Sequence, residues 1–243
     1  MHADHDPRAA EENRILRALP ADQYARLLPY LEPVELANGQ VLWQSNTTIH
    51  SVYFPRMCVV SLLTPLLNEA PVEAATIGRE GIVGTPVVLG ARTTAAQALA
   101  QVAGTAARVD VERFAGSLRR DDGALFPILL RYAQALQEQT AQSVACNRRH
   151  GIDERCARWL LMTQDRVGKE QFGLTQDFLA FMLGVRRASV TVAAGMLQRA
   201  GLIRYSRGRI AVLDRGGLEA ASCECYGIVR QKYEELLGEQ PSP

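Results

Sequence analysis

One stretch constrains the fold more than any other. From Leu174 to Thr191 the chain reads Leu-Thr-Gln-Asp-Phe-Leu-Ala-Phe-Met-Leu-Gly-Val-Arg-Arg-Ala-Ser-Val-Thr, two short helical segments broken by Gly184. Thr175 is placed to cap the first segment, and Asp177 sits favourably in its first turn. Leu179, Met182 and Leu183 share one apolar face at spacings of three and four. Gly184 permits a sharp turn because it has no Cβ to oppose a positive φ. The second segment opens with Arg186 and Arg187. Val190, Ala194 and Leu197 can turn inward while Arg187, Ser189 and Thr191 stay outside. This is a helix-turn-helix pattern, with charge and hydroxyls where a recognition helix meets a groove. Taken alone, the segment reads equally as an ordinary helical hairpin with an exposed arginine pair.

The next segment shifts that balance. Gly201 is a natural helix terminator. Two β-like runs, Leu202–Tyr205 and Arg209–Leu213, flank a turn containing Ser206, Arg207 and Gly208. A hairpin with a basic tip directly after a helix-turn-helix is the expected wing, with Arg207 and Arg209 placed against backbone phosphates. Charge is distributed accordingly. The whole chain carries a formal net charge of +1, but residues 1–147 hold 12 basic and 15 acidic side chains, residues 148–215 hold 13 and 6, and residues 216–243 hold 2 and 5. The positive charge is concentrated where phosphates would be met, and neutralising them needs local rather than global basicity.

At 243 residues, 47% of them hydrophobic, the chain can build one or two real cores. No apolar run is long enough to span a bilayer, so no membrane partner is expected. Met1-His2-Ala3-Asp4-His5-Asp6 lacks an apolar stretch and does not read as a signal peptide. Five scattered cysteines fit a reducing cytoplasm better than a disulfide framework.

Along the chain, residues 1–13 are expected to be a disordered tail. Ile15, Leu16, Leu19, Leu27, Leu28 and Leu31 predict one or two short helices with a break at Pro20. Strand-like pieces then alternate with turns at Val34–Leu36, Val41–Trp43, Val52–Phe54, Cys58–Leu63, Val72–Ile77, Leu99–Val102 and Ala107–Val111, predicting an antiparallel sandwich or roll. Asn38-Gly39 is the clearest hairpin turn. Residues 123–147 form a long helical stretch in which Leu125, Leu129, Tyr132 and Leu136 recur as a heptad-like seam, expected to be the dimer axis. The other reading is a helix packed on its own β domain. A turn at His150-Gly151 leads into a helix over Ile152–Val167, and a C-terminal helix runs from Leu218 to about Leu237. The fold class is therefore α+β, with residues 14–122 as a β-roll sensor domain, 123–148 as a dimerisation helix and 149–243 as a winged helix-turn-helix domain with its C-terminal helix.

This order of β-roll, long helix and winged helix-turn-helix resembles the CRP/FNR family of bacterial transcription regulators. The resemblance covers roughly residues 15–215 and is strongest over 174–213. It implies a cyclic-nucleotide-binding-like roll, a double-stranded β-helix, ahead of the DNA-binding domain. It places Arg187 at the family's guanine-reading arginine, whose fork suits the O6 and N7 acceptors. It places Thr175, Gln176, Arg186 and Ser189 where the family contacts phosphates. Two positions depart from the pattern: Ala188 stands where a base-reading glutamate is usual, and Val192 where some members carry a second arginine. In the cassette that holds cyclic AMP in relatives, Glu80-Gly81-Ile82-Val83-Gly84-Thr85 has Ile82 in place of the ribose-binding glutamate. Cyclic-nucleotide binding is therefore disfavoured, and Gly81, Gly84, Arg92 and Thr93 stand only as effector-site candidates.

Other chemistry is thinly represented. The N-terminal cysteine group of iron–sulfur sensors is missing, since no cysteine precedes Cys58. Cys223 and Cys225, if helical, would point about 200° apart and could not share a metal, so no metal ligands and no cofactor are expected. Cys146, Cys223 and Cys225 remain candidates for a thiol-based redox sensor. His2 and His5 lie in the tail, and His50, in a turn, is not expected to hold haem. Trp43 and Trp159 are expected in the core. Glu69, Glu73 and Glu80 read as surface carboxylates. No phosphate loop, nucleophile elbow or zinc-protease motif points to an enzyme. The expected protein is a cytoplasmic, homodimeric regulator whose partners are double-stranded DNA and RNA polymerase. The competing reading is a ligand-binding or protein-interaction module with a vestigial helix-turn-helix.

Overall fold

The computed structural model describes residues 11–120 and 123–238. Residues 1–10, with His2 and His5, lie outside the described residues. Residues 11–13, expected to belong to a disordered tail, include two buried side chains. Glu11 and Asn13 are buried: Glu11 pairs with Arg56, and Asn13 donates to the carbonyls of Pro55 and Gly81. Asn13 also caps α1 (Arg14–Arg17), accepting from the amides of Ile15 and Leu16. Pro20 separates this turn from α2 (Ala21–Leu27), and both pack on the roll.

Seven strands follow: β1 (Glu32–Leu36), β2 (Val41–Trp43), β3 (Ser51–Pro55), β4 (Val59–Thr64), β5 (Val72–Ile77), β6 (Gln97–Val102) and β7 (Gly104–Asp110). They form two antiparallel sheets, β1-β7-β3 and β2-β6-β4-β5, whose facing sides enclose Phe54, Ile77, Ile82 and Val109. Every expected strand is present within a few residues. The Asn38-Gly39 hairpin is not. Gly39 takes φ +80°, but β1 pairs with β7 and β2 with β6, so the turn passes the chain from one sheet to the other. α3 (Thr85–Val88) sits between β5 and β6. α4 (Val111–Arg120), which the strand pattern did not foretell, closes the roll through Phe114, whose ring meets Phe54 edge-on.

The long helix α5 (Leu125–Arg149) corrects the expected dimer seam. Leu125, Leu129, Tyr132 and Leu136 are all buried within the chain itself, against the roll and the C-terminal helix α10 (Cys225–Leu237). The apolar periodicity records this packing. Tyr132 lies so close to the β5–α3 turn that a Cβ at Gly81 would stand 2.2 Å from its ring.

The second core belongs to α6 (Ile152–Val167), β8 (Gln171–Gly173), α7 (Gln176–Leu183), α8 (Arg187–Arg199), β9 (Ile203–Ser206), β10 (Arg209–Val212) and α9 (Arg215–Ala220). Trp159 and Leu160 of α6 anchor it, and Trp43 is buried in the first core. Among the described residues no single helix is long and apolar enough to cross a membrane.

Candidate nucleic-acid interface

α7 and α8 meet at 107° across Gly184, Val185 and Arg186. This is the crossing angle and turn length of a helix-turn-helix. Thr175 Oγ1 accepts from the Phe178 amide at 3.2 Å and starts α7; Gly184, at φ +63°, ends it. Leu179, Met182 and Leu183 are buried, as are Val190, Ala194 and Leu197 on α8. Their burial turns the opposite face of α8 outward.

That outward face carries Arg186, Arg187, Ala188, Thr191, Val192, Met196 and Arg199, all exposed, with Ser189 half-buried beside them. Arg187 lies 3.3 Å from Asp177 across the turn, both side chains being about two-thirds exposed. At that exposure the pair is worth at most about 1 kcal/mol, so the guanidinium can leave it cheaply for a stronger acceptor. Thr191 Oγ1 is 2.8 Å from Gln176 Oε1, which links the start of α7 to the middle of α8.

The wing is a three-stranded sheet ordered β8-β10-β9. Its tip is a two-residue turn with Arg207 at φ +48° and Gly208 at φ +73°, the left-handed pair that tight hairpins require. Arg204, Arg207 and Arg209 are exposed along it. The wing is clipped to the helix-turn-helix: the Leu174 amide donates to Gly208 O at 2.8 Å, and the Tyr205 hydroxyl donates to Leu174 O at 3.0 Å. The start of α7, the outward face of α8 and the basic tip are thus held together by direct hydrogen bonds. β8 escaped the sequence reading because three residues carry almost no periodicity.

A set of buried polar contacts joins this domain to the roll. Arg166 of α6 lies within 2.9 Å of Glu80, donates to Gln139 of α5 at 2.7 Å and reaches the Thr76 carbonyl of β5 at 3.2 Å. Glu73 of β5 accepts from the Trp159 indole at 3.0 Å and from Ser61 at 2.7 Å. Burial pushes the Glu73 carboxyl up to about 7. Within the C-terminal domain, Arg155 of α6 donates to the Leu183 carbonyl of α7 at 2.6 Å. Glu73 and Glu80 are therefore junction residues, and only Glu69 is the surface carboxylate expected. The crevice between β5, α5, α6 and α7 measures about 40 Å³, room for water rather than an effector.

Among the effector candidates, both glycines sit against core side chains. Gly81 abuts Tyr132, Gly84 abuts Val52 at φ +135°, and Ile82 is fully buried in the roll core. Arg92 is exposed and pairs with Glu112 at 2.7 Å, next to an exposed Thr93. These glycines serve close packing.

The expectation that no metal ligands gather is corrected as well. Residues 221–224 are not helical: the chain turns between α9 and α10, so the C-terminal helix is two helices and Cys223 and Cys225 are not held at helical spacing. Cys146, His150, Cys223 and Cys225 converge, their ligand atoms all within 4.8 Å of one another. Cys58 and Cys156 are buried elsewhere, and His50 is exposed.

Residues 154–221 match the family model of the Crp-like helix-turn-helix domain. No curated protein matches this sequence. Among solved structures, a CRP-family transcriptional regulator from Thermus thermophilus is similar with a TM-score of 0.62 at 16% identity, over 78% of this chain and 96% of that one. FixK2 from Bradyrhizobium japonicum is similar with a TM-score of 0.61 at 14% identity, over 79% and 98%. CLP from Xanthomonas campestris, a c-di-GMP-responsive global regulator, is similar with a TM-score of 0.57 at 15% identity, over 79% and 99%. The class defined by domain and fold is a β-roll joined through a long helix to a winged helix-turn-helix. The C-terminal domain is of the Crp-like type, and the architecture around it is that of the CRP/FNR transcription regulators, as the sequence resemblance implied.

Proposed function

We propose that the chain is a sequence-specific, DNA-binding transcription regulator of the bacterial cytoplasm that acts as a homodimer on a pseudo-palindromic operator. The observation that carries this reading is the exposed row on α8 together with a wing clipped to the start of α7. Arg187 reads guanine from the first turn of α8. Thr175, Gln176, Arg186 and Ser189 lie at the two helix starts, where backbone amides and side chains meet phosphates. Thr191 stands on the outward face of α8, and Arg207 and Arg209 hold phosphates from the wing. Ala188 is small and apolar and suits a thymine methyl.

A half-site reader of this size needs a twofold partner. α5 has an outward stripe for one: Phe126, Leu130 and Val144 are 38%, 43% and 69% exposed, in line with Ala133, Gln137 and Ala141. The spacing of three and four along this stripe is that of a two-helix seam. The dimer axis stays on α5 but moves to the neighbouring exposed face, about 100° round the helix from Leu129. A signal at the roll reaches the DNA-binding domain through the Arg166 and Glu73 contacts, biasing the domain between two arrangements. RNA polymerase is the downstream partner of such a regulator.

The test is binding to a labelled duplex pool at several salt concentrations. A steep fall in affinity with salt and protection of two half-sites about 34 Å apart on one face support the reading. Salt-insensitive, patternless binding contradicts it.

A further inference from the structure

We infer that Cys146, His150, Cys223 and Cys225 form a single-ion zinc site that clamps the end of the long helix to the C-terminal segment. The four side chains come from two places far apart in sequence. Cys146 and His150 lie one turn apart at the end of α5, immediately before the Gly151 turn that leads into the DNA-binding domain. Cys223 and Cys225 straddle the start of α10. The three sulfurs are buried, and His150 is the member nearest solvent, its side chain 17% exposed.

The distances are those of one small tetrahedral ion. Cys146 Sγ is 3.5 Å from Cys223 Sγ, and Cys225 Sγ is 3.4 Å from His150 Nδ1. Zinc holds thiolate sulfur at about 2.3 Å and imidazole nitrogen at about 2.0–2.1 Å, so a tetrahedron around it has edges of roughly 3.5–3.8 Å. A set confined to 4.8 Å closes onto that geometry by sub-ångström side-chain shifts and holds one ion rather than a multi-iron cluster. Three thiolates and an imidazole complete four-coordination and leave no open position. Such soft, tetrahedral donor sets select zinc.

The surroundings fit the same ion. His150 Nε2 lies 3.1 Å from Glu224 Oε2. That carboxylate keeps a proton on Nε2 and leaves Nδ1, the atom facing Cys225, free to ligate; metal-bound histidines are commonly held this way. Gln142 donates to Cys225 Sγ at 3.0 Å. Arg155 and Arg158 on α6 act electrostatically on the sulfurs, and Arg158 Nε is buried without a hydrogen-bond partner. Three thiolates, a neutral imidazole and a divalent cation sum to one negative charge, which these guanidiniums offset. On binding, the thiols release their protons to solvent.

The test uses the full-length reduced protein, freed of metal by a chelator and titrated with Zn²⁺ against a chromogenic competitor. Co²⁺ is used in parallel as a spectroscopic probe. The expected result is one ion per chain, with intense visible Co²⁺ bands of a tetrahedral, thiolate-bound ion that Zn²⁺ bleaches. Cys223→Ser and Cys225→Ser should weaken uptake at least tenfold, and Glu224→Gln by about 10–100-fold. Cys58→Ser and Cys156→Ser should leave it unchanged. These readouts need no DNA, so they stand whether or not the operator-binding reading holds. Less than about a tenth of an equivalent in the wild-type chain, uptake that survives Cys223→Ser, or a Cys146–Cys223 disulfide that returns no metal-binding capacity on reduction would each overturn the proposal.

Discussion

Arg166 Nε lies 2.9 Å from Glu80 Oε1, and both side chains are only 6% exposed. The pair joins α6 of the DNA-binding domain to the β5–α3 turn of the roll. The same guanidinium bonds to Gln139 of α5 and to the Thr76 and Met162 carbonyls. One side chain thus ties together the roll, the long helix α5 and the winged helix-turn-helix domain. Removing one member of such a pair strands a charge, at a cost of about 3–5 kcal/mol. Glu80→Ala is expected to lower unfolding stability by that order in urea titration. A loss under about 1 kcal/mol would mean that Gln139 and the carbonyls suffice for Arg166.

The roll glycines are held to close packing. A Cβ at Gly81 would stand 2.2 Å from Tyr132, and one at Gly78 would stand 2.4 Å from Arg166 Cβ. Gly81→Ala should cost about 1–3 kcal/mol through overpacking and lower the melting temperature. An unchanged melting temperature would show that Tyr132 can move aside.

Glu73 makes the junction pH-dependent. Its carboxyl is raised from the usual 4.5 to about 7 by burial beside Trp159. The folded state therefore holds this proton more tightly than the unfolded chain does. The stabilisation is complete below about 4.5 and is lost as pH rises to about 7. Glu73→Gln should remove this component. Denaturant midpoints of the two proteins measured across that window should converge at low pH and separate towards neutrality, with the variant the more stable. Parallel curves would contradict the assignment.

On the DNA side, Arg187→Ala should cost about 1–3 kcal/mol on the preferred site and relax base preference there. Arg207→Ala should weaken all sequences alike and reduce the salt slope by about 1. Competition titrations on matched and scrambled duplexes separate the two effects.

The proposed dimer seam on α5 runs along its exposed stripe. Leu130→Arg and Val144→Glu change exposed positions, so they should yield folded monomers by sedimentation while leaving the melting curve nearly intact. Leu129→Ala, at a fully buried position, should instead destabilise each chain by about 2–5 kcal/mol. The opposite pattern would restore the seam first read from the sequence.

Much of this molecule is legible in its sequence because its two cores obey simple periods. The seven roll strands alternate or run apolar, and α7 and α8 carry a capped helix, a glycine turn and a second amphipathic face. What failed has a common cause: periodicity says that a face is buried but not against what. Leu125, Leu129, Tyr132 and Leu136 have the spacing of an intermolecular seam and are covered by the chain's own roll and α10. Asn38-Gly39 has a hairpin's residues, yet its flanking strands find partners in different sheets. Glu73 and Glu80 look like surface acids because their partners, Trp159 and Arg166, lie 86 residues away in each case. A continuous helix through Cys223 and Cys225 would point them apart, but the chain turns there and brings them to Cys146 and His150.

In the proposed function, α8 reads a groove as half of a symmetric pair. The most direct measurement is selection of bound duplexes from a random pool by the purified protein, run reduced, with and without zinc. A pseudo-palindrome with half-sites one helical turn apart, lost in Arg187→Ala, is the result predicted. Failure of every form to enrich any sequence would contradict it.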